Sequence, residues 1–447
     1  MLSDAVRAII SRLQSHGYQA YAVGGCVRDL LMRRIPKDWD VCTSAKPEET
    51  IACFGNERVV TTGLQHGTVT VLIDRQPIEV TTFRIESGYS DGRHPDNVCF
   101  TTHLREDLSR RDFTMNAMAM DINGIITDPY DGHTDIHQKM IRCVGYPDAR
   151  FAEDGLRILR ALRFASELDF YIEPHTAFSI HDGKKQLSRI AAERITAEMT
   201  KLLAGIGAAD ILTAFHDVLC VFIPELSCLA DFEQHSPYHC HDVWTHTAHA
   251  VHAAKKDPAV LWAVLLHDIG KPEKFHKDAK GIGHFYGHAH SGALMAADIL
   301  MRLKMEKRTI WQVTELIAYH DRLMPDKYAV KQCLNAIGPA LFEKLLDVME
   351  ADNAAKAPEK RAEGQIENRH LRAMYTDVMQ NNECYDLRHL TINGDDLISL
   401  GFQNQAVGTA LNTLLKSVMR GKTINTREAL LKQAKGLQRR RTVTDRI

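Results

Sequence analysis

The chain has 447 residues, of which 45% are apolar and 25% charged, and its formal net charge is −2 at pH 7. This length predicts two to four domains, and the composition is typical of folded globular proteins rather than disordered ones. The near-neutral charge excludes a surface evenly coated with nucleic acid, and no apolar run reaches the roughly 20 residues that span a bilayer.

The N-terminus and the cysteines indicate a cytoplasmic protein. Residues 1–10 mix charged and apolar positions in an amphipathic pattern, which is unlike a signal peptide. The ten cysteines are scattered and none forms a C-x-x-C pair, so reduced thiols are the simplest interpretation. We therefore expect no membrane association.

The first part of the chain alternates helix and strand patterns. Ser3–Ser15 has the periodicity of an amphipathic helix. Turn residues at 121–124 and 128–132 close the region, so we expect a mixed α+β domain. Segments rich in β-branched and aromatic residues predict its strands, at Ala20–Val23, Trp39–Cys42, Thr68–Ile73 and Ile78–Phe83.

A glycine pair separates the first predicted strand from the next helix. Gly24 and Gly25 would let backbone N–H groups approach a triphosphate, and the N-terminus of the helix favours the anion. Because a Gly-Gly turn is structural in most proteins, it indicates a nucleotide site only with further support.

Three carboxylates supply part of that support. Asp38 and Asp40 are two apart at the start of a predicted strand, and alternate side chains of a strand share one face. Glu79 stands in the middle of a later strand, where an apolar residue is expected. If the two strands are neighbours, these catalytic carboxylates can hold two Mg²⁺ ions that bind a triphosphate and lower the pKa of an attacking 3′-hydroxyl. The alternative is that Asp38 and Asp40 are solvated turn residues.

The octapeptide at 110–117 is a third candidate element. Arg110 and Arg111 suit triphosphate oxygens, and Asn116 suits a ribose hydroxyl. In isolation the same residues also suit a helix cap with a basic flank.

Four motifs, taken in order, resemble those of the bacterial class II tRNA nucleotidyltransferase/poly(A) polymerase family. They are Gly24-Gly25-x-x-Arg28-Asp29, Asp38-x-Asp40, residues 110–117 and Asp128-Pro129-Tyr130-Asp131-Gly132. The resemblance implies a polymerase-β-like nucleotidyltransferase head, a small mixed sheet with helices, that binds two Mg²⁺ ions through Asp38 and Asp40. The nucleotide-binding residues expected from these motifs and from the helix that follows are Gly24, Gly25, Arg28, Arg111, Asp112, Asn116, Asp154, Arg157 and Arg160.

A helical pattern from Asp154 to Ile206 opens with a pair that can distinguish bases. Asp154 and Arg157 are three apart and are expected to share a helical face. The carboxylate accepts from the 4-amine of cytosine or the 6-amine of adenine, and the guanidinium donates to the neighbouring ring nitrogen. Uracil and guanine present a carbonyl instead, and an unmatched buried polar group costs about 1–3 kcal/mol. The pair matches the family's base-selecting element; an ordinary i,i+3 salt bridge is the alternative.

Two further features belong to this interpretation. Glu153 and Arg157 are four apart and are expected to pair, and Arg194 is expected to be structural. The polar, glycine-containing segment Arg84–Pro95 resembles the flexible loop that full CCA-adding members use to move from C to A addition.

The central region is helical and rich in histidine. Imidazoles and carboxylates suit a transition metal with open positions for water or phosphate. His249 and His290 are near-register alternatives for two ligands, and a helical domain with incidental histidines is the other explanation. Six residues fall in the order of an HD phosphohydrolase domain: His246, His267, Asp268, His288, His320 and Asp352.

The C-terminal part is helical and basic. Ala354–Gln365 looks like a linker, and residues 416–447 contain ten Lys/Arg against Glu428 and Asp445. Leu390–Leu397 and this tail resemble the tRNA-binding body and tail of CCA-adding enzymes. We expect a head at 1–140 and three all-α parts: a neck with the base-selecting motif at 141–206, an HD domain at 207–365 and a body/tail at 366–447.

These features predict a template-independent enzyme that adds C, C and A to the tRNA 3′ end from CTP and ATP, releases diphosphate and needs no obligatory protein partner. In this interpretation the HD domain adds a phosphohydrolase activity. A poly(A) polymerase of the same family shares every head motif and is the main alternative. A regulatory nucleotidyltransferase with an HD hydrolase is disfavoured by residues 110–117 and by the Asp154/Arg157 pair.

Overall fold

The computed structural model describes residues 1–55, 59–61, 63–64, 67–74, 76–89, 92 and 95–444. It forms two structural units, residues 1–227 with 302–304, and residues 228–301 with 305 onward. Within the described ranges, no helix is both long and apolar enough to cross a membrane.

The first unit contains an N-terminal sheet domain followed by helices. Its helices are α1 Asp4–Ser15, α2 Gly25–Leu31, α3 Pro47–Phe54, α4 Leu104–Ser109, α5 Gly132–His137, α6 Pro147–Glu153, α7 Leu156–Leu168, α8 Pro174–Gly183, α9 Ala192–Ala204, α10 Ala208–Ala214 and α11 His216–Leu219. Its strands are β1 Ala20–Val23, β2 Asp40–Thr43, β3 Val59–Val60, β4 Thr68–Ile73, β5 Gln76–Thr82, β6 Arg84–Ser87, β7 Asn97–Phe100, β8 Ala119–Met120, β9 Ile126–Thr127, β10 Met140–Ile141 and β11 Tyr171–Ile172.

A seven-stranded mixed sheet organises the head, in the order β3-β4-β5-β2-β1-β8-β9. β2 and β5 run parallel, and their register places Asp40 opposite Glu79. β1 pairs with β2 and with β8 in antiparallel fashion. One face of the sheet packs against α1, whose Ile9 and Ile10 are fully buried. The predicted neighbourhood of the two carboxylate-bearing strands is therefore confirmed.

The second unit is a helical bundle with one short hairpin. Its helices are α12 Val243–Ala253, α13 Pro258–Leu266, α14 Lys271–Lys274, α15 His288–Arg302, α16 Lys307–Tyr319, α17 Lys327–Ile337, α18 Pro339–Ala354, α19 Pro358–Gln380, α20 Gly394–Ser399, α21 Gln405–Met419 and α22 Arg427–Thr444, and its strands are β12 His276–Lys277 and β13 Gly283–His284. Asp257 caps α13 by accepting from the N–H groups of Ala259 and Val260, and every residue from Ala259 to Leu266 is buried. This apolar helix carries His267 and Asp268 at its C-terminal end into the interior.

The expected α+β fold class is confirmed, with three differences in detail. β11 lies within the neck and pairs in parallel with β10, and the β12–β13 hairpin lies within the HD region. Strands of two residues carry too little periodic pattern to be recognised. The linker predicted at Ala354–Gln365 is wrong, because α19 begins at Pro358 and its polar residues form the exposed face of a long helix.

Candidate functional site

Asp40 and Glu79 face each other across the parallel strands, with Asp38 nearby. Asp40 begins β2, whereas Asp38 lies in a bend two residues earlier, so strand alternation does not place Asp38. Burial raises the pKa of Asp40, Arg111 opposes this shift, and repulsion from Glu79 and Asp38 adds to it. Mutually repelling carboxylates favour divalent cations. In the described part of the chain, the carboxylate oxygens of Asp38, Asp40 and Glu79 do not all lie within 4.8 Å of one another. Metal binding by these residues is therefore inferred from their charge and from the strand register.

The Gly24–Gly25 turn lies directly beside these carboxylates. Gly24 has φ of +80°, a left-handed conformation that glycine adopts without steric cost. A Cβ atom there would lie 3.0 Å from Nη1 of Arg111 and 3.9 Å from Oδ2 of Asp40. The turn therefore requires glycine at position 24. Its backbone lies next to the guanidinium of Arg111 and the carboxylate of Asp40.

Four of the predicted nucleotide-binding residues form one hydrogen-bonded network. Oδ2 of Asp112 accepts from Nε and Nη2 of Arg160 at 2.9 and 2.5 Å. Oδ1 of Asp112 accepts from Nδ2 of Asn116 at 3.2 Å, and Oδ1 of Asn116 accepts from Nη1 of Arg28 at 2.9 Å. The guanidinium groups of Arg28 and Arg160 also lie over the ring of Phe164, at 5.1 and 5.4 Å. The network connects α2, the 110–117 segment and α7.

We expect Asp112→Asn to destabilise the first unit in a pH-dependent way. Burial raises the pKa of Asp112, but Arg160, Arg157 and the hydrogen bond from Asn116 together outweigh burial and lower the pKa to about 2. Because this is below the ordinary aspartate value, the stabilisation is complete above about pH 4 and is lost as the pH falls toward about 2. At pH 7 the shift corresponds to about 2 kcal/mol of unfolding free energy. Amide hydrogen exchange in the first unit measures the loss; equal protection in variant and wild type at pH 7 would contradict it.

Asp154 and Arg157 do not share a helical face, so that prediction is wrong. α6 ends at Glu153 and α7 begins at Leu156, which leaves Asp154 in extended backbone between two helices. Oδ2 of Asp154 lies 2.7 Å from Nη2 of Arg194, and Nη1 of Arg157 lies 2.5 Å from Oε2 of Glu153. The predicted Glu153–Arg157 pair is confirmed. The i,i+3 salt bridge, the alternative explanation of the motif, is not formed.

Both side chains retain hydrogen-bonding capacity for a base. Asp154 accepts from the N–H of Leu156 and from two guanidinium nitrogens of Arg194, whereas a carboxylate offers about four acceptor positions. Arg157 donates from Nη1 to Glu153 and to the carbonyl of Arg150, and from Nη2 to the carbonyl of Arg110. Among the described contacts, the Nε–H and one Nη2–H of Arg157 are unused, as is one acceptor position of Asp154.

The loop predicted at Arg84–Pro95 starts as strand β6, which forms an antiparallel hairpin with β7. Residues 90, 91, 93 and 94 of this loop lie outside the described residues.

In the second unit, Asp268 is shared by two groups of potential metal ligands. One group is His246, His267 and Asp268, and the other is Asp268, His288 and His320. Oδ2 of Asp268 lies 3.1 Å from Nε2 of His267, and Oδ1 lies 3.5 Å from Nε2 of His288. Within the described residues the two groups include neither His249 nor His290, the near-register alternatives.

Asp352 joins the first of these groups. Its Oδ1 lies 3.0 Å from Nε2 of His246 and 3.5 Å from Nε2 of His267. All six predicted residues therefore meet, although they come from different helices and helix ends.

Backbone carbonyls orient the four histidines for metal binding. A carbonyl oxygen can only accept, so the Nδ1 beside it carries a proton, and Nε2 is the atom that binds a metal once the imidazole is neutral. The Nε2 atoms are those that face the shared aspartates. The Nδ1 contacts are His246 with Ala355 O at 3.3 Å, His267 with Val264 O at 2.7 Å, His288 with Phe285 O at 2.9 Å and His320 with Ile317 O at 2.7 Å.

Cations compensate the buried carboxylates of this cluster. Lys271 Nζ lies 2.6 Å from Asp268, and Lys356 Nζ lies 2.9 Å from Asp352. Burial lowers the pKa of His267, but Asp268 and Asp352 outweigh it and raise the pKa to about 10. Nε2 of His267 and Oδ2 of Asp268 are buried and make no hydrogen bond of good geometry within the described chain. These donors fit a divalent metal, which would supply the positive charge that the protonated imidazole supplies here.

Three family models match parts of this chain. Residues 20–142 match the family model for the poly A polymerase head domain, 169–227 the model for a probable RNA- and SrmB-binding site of polymerase A, and 238–379 the HD domain model. The crystal structure of the Bacillus stearothermophilus CCA-adding enzyme in complex with CTP is similar at 31% identity and a TM-score of 0.74, covering 99% of this chain and 98% of that one.

The chain belongs to the tRNA nucleotidyltransferase/poly(A) polymerase family.

Two curated members of this family are similar over shorter stretches. The CCA-adding enzyme of Geobacillus thermodenitrificans (strain NG80-2) is 43% identical over 59% of this chain, and that of Lactobacillus johnsonii (strain CNCM I-12250 / La1 / NCC 533) is 46% identical over 48% of it. These matches span 63% and 53% of the two relatives. Nucleotidyltransferase and HD domains usually use divalent metals.

Several residues that contact the candidate sites of the head and of the HD domain were not identified from the sequence. Lys271 is three residues after Asp268 in His-Asp-Ile-Gly-Lys, and Lys356 is four residues after Asp352, so helical spacing was an available signal for both. Gln234, which accepts from Lys271 at 2.7 Å, had no local signal because it lies 37 residues away. Asp107 in the head was also missed, although it stands three and four residues before Arg110 and Arg111.

Proposed function

We propose that this chain adds cytidine, cytidine and adenosine to the 3′ end of tRNA, using CTP and ATP and releasing diphosphate. The observation that carries the proposal is the register of Asp40 opposite Glu79 beside the Gly24 turn and Arg111. The end-to-end similarity to a CCA-adding enzyme that was solved with CTP supports it. The four-part division into head, neck, HD domain and body/tail, with the boundaries expected from the sequence, is proposed with it.

The head is proposed to hold the triphosphate and the metal. Asp38 and Asp40, with Glu79 opposite, would bind two Mg²⁺ ions, which when bound lower the pKa of the primer 3′-hydroxyl and offset the charge of the triphosphate. Arg111 and the Gly24–Gly25 backbone bind triphosphate oxygens, and the Arg28–Asn116–Asp112–Arg160 network orients the ribose and base. The 3′-hydroxyl oxygen bonds to the α-phosphorus as the bond to diphosphate breaks.

Base choice is proposed to lie with Asp154 and Arg157. The remaining acceptor position of Asp154 suits the exocyclic amine of cytosine or adenine, and the unused Nε–H of Arg157 suits the adjacent ring nitrogen. Arg194 and Glu153 hold these two side chains, because each is ion-paired to one of them. A protein pair therefore replaces a nucleic-acid template.

The decisive experiment offers the purified chain tRNA transcripts that end before C, CC and CCA, each with one labelled nucleotide at a time. Sequential addition of two C residues and one A, followed by arrest, is the expected result. A long run of A on any RNA would establish the poly(A) polymerase, whose head model also matches this chain. Addition to neither RNA would contradict the proposal.

The HD cluster is proposed to bind a transition metal and to hydrolyse phosphoesters. Its support is the convergence of four Nε2 atoms and two carboxylates. Four residues of this set line a cavity of about 460 Å³ whose wall also includes Lys271 and Lys356: Asp268, His288, His320 and Asp352. The lysines suit the charge of a phosphate.

We expect His267→Ala to lose bound metal and phosphoesterase activity while nucleotide addition continues. Loss of a residue that only supports a metal ligand typically lowers metal affinity by about 10- to 100-fold, so loss of a direct ligand should lower it at least as much. His290→Ala is the matched control, because His290 lies two residues from His288 yet is exposed. Metal analysis after dialysis and assay of a chromogenic phosphodiester measure the two effects. Equal metal content in wild type and His267→Ala would contradict the site.

A further inference from the structure

A fully buried carboxylate lies between two arginines of the head. Asp107, on α4, has no solvent exposure. Its Oδ1 accepts from Nε and Nη2 of Arg110 at 3.0 and 2.8 Å, and its Oδ2 accepts from Nη2 of Arg111 at 3.3 Å. Burial raises the pKa of Asp107, but Arg110, Arg111 and a hydrogen bond from the backbone N–H of Arg84 together lower the pKa below the ordinary value. The group is therefore charged, and each of its oxygens holds a different guanidinium.

Arg111 reaches from Asp107 to the reaction site. A Cβ atom built on Gly24 would lie 3.0 Å from Nη1 of Arg111 and 3.9 Å from Oδ2 of Asp40, so the guanidinium and this carboxylate flank the same turn. Its Nε is buried and makes no hydrogen bond in the part of the chain that the structure describes. An arginine that has an unused donor and reaches the glycine turn through Nη1 suits an anionic ligand.

Arg110 connects Asp107 to two other parts of the first unit. Its Nη1 lies 3.2 Å from Oε1 of Glu86 on strand β6, a carboxylate that also accepts from the hydroxyl of Tyr89 at 2.8 Å. The carbonyl of Arg110 accepts from Nη2 of Arg157 at 3.2 Å. Arg110 and Asp107 therefore link Arg111 to strand β6 and to Arg157, the proposed base-reading arginine.

We propose that Asp107 is a positioning residue that holds Arg111 toward the incoming triphosphate and away from Asp40. The inference rests on the proposed function of the head. Asp40 is the other aspartate that attracts Arg111. Without a carboxylate at the position of Asp107, Arg111 pairs with Asp40, which removes a triphosphate ligand and places a guanidinium against a carboxylate proposed to bind metal. Glu86 supports the arrangement indirectly, because it shares Arg110 with Asp107.

The test compares Asp107→Asn with two other full-length variants. Glu106→Gln is the matched control: it neutralises the neighbouring residue of α4, whose carboxylate accepts from Thr101 and contacts neither arginine. Glu86→Gln removes the outer partner of Arg110 while Asp107 stays. Asp107→Glu keeps the charge on a longer side chain and serves if Asp107→Asn does not fold, as judged by thermal melting.

For Asp107→Asn we expect kcat/KM for CTP to fall about 10- to 100-fold, and the Mg²⁺ concentration for half-maximal rate to rise about 3- to 10-fold. The KM for tRNA should stay within about twofold, and Glu86→Gln should show a smaller change of the same kind. Calorimetry of CTP binding in the presence of EDTA, where no turnover occurs, should show about tenfold weaker binding. If Asp107→Asn is unfolded, Asp107→Glu should show the same changes at about a third of their size.

Wild-type values for CTP affinity and Mg²⁺ requirement in folded Asp107→Asn, or in Asp107→Glu if that variant is used, would overturn the inference. So would equal changes in Glu106→Gln, because they would indicate general loosening of α4. Failure of the wild-type chain to extend tRNA is a different result: it contradicts the proposed function, whereas weaker CTP binding in EDTA would still support the role of Asp107.

Discussion

Asp40→Asn should abolish addition of C and of A alike, with a loss of at least about 10³-fold in kcat, because one metal-binding set serves both steps. The substitution keeps the shape of the side chain and removes a charge that the fold disfavours, since burial, Glu79 and Asp38 raise the pKa of Asp40. The variant should therefore melt at or above the wild-type temperature. Single-turnover addition to tRNA ending before C and before A measures the loss.

The control for this experiment is Asp121→Asn, which changes a carboxylate in the β8–β9 turn of the same head. It should keep nearly full activity. Gel-shift titration should show that Asp40→Asn binds tRNA as the wild type does, because the tRNA contacts are proposed to lie elsewhere. Near-normal turnover in Asp40→Asn would show that this carboxylate does not take part in catalysis.

Asp154→Asn should relax base selection, raising the incorporation of U and G relative to C and A by about tenfold or more. The amide donates to the 4-carbonyl of uracil or the 6-carbonyl of guanine, which the carboxylate repels. C and A lose a charge-assisted hydrogen bond worth about 1.5–3 kcal/mol. Arg157→Ala should instead weaken C and A together by about 10- to 100-fold, since the guanidinium donates to both. Incorporation ratios for the four triphosphates, supplied singly, decide the matter.

The ion pair between Asp154 and Arg194 supplies the control that this experiment needs. Arg194→Gln leaves the carboxylate of Asp154 in place and removes its 2.7 Å contact with Nη2. If selection comes from Asp154 itself, Arg194→Gln should lower the rate but preserve the incorporation ratios. The same ratios in Arg194→Gln and Asp154→Asn would assign the effect to the neck ion pair.

Local pattern was sufficient for the elements on which the head is built. Ser3 caps α1, and β1 and β4 have the predicted bounds of Ala20–Val23 and Thr68–Ile73. These segments are predictable because one face of each is buried against a continuous core, which imposes a regular apolar period. The proposed base-reading segment was harder to predict. The helix break at Asp154 depends on how α6 and α7 pack. The spacing of residues along the chain does not predict that packing.

The sequence by itself determined which chemical groups this protein carries and in what order: the carboxylates, the glycine turn, the arginines and the six HD residues, each of which is recognisable from its type and its neighbours. Tertiary structure alone decided which groups act on one another. The parallel register of β2 and β5 places Glu79 opposite Asp40 across 39 residues of sequence, and α13 and α18 bring Asp352 to the histidines. The role of Arg194 also follows from a tertiary contact, because its partner Asp154 lies 40 residues away in the sequence. Ion pairs depend on distance in space, and the free energy that selects their partners comes from burial, which a linear pattern does not contain.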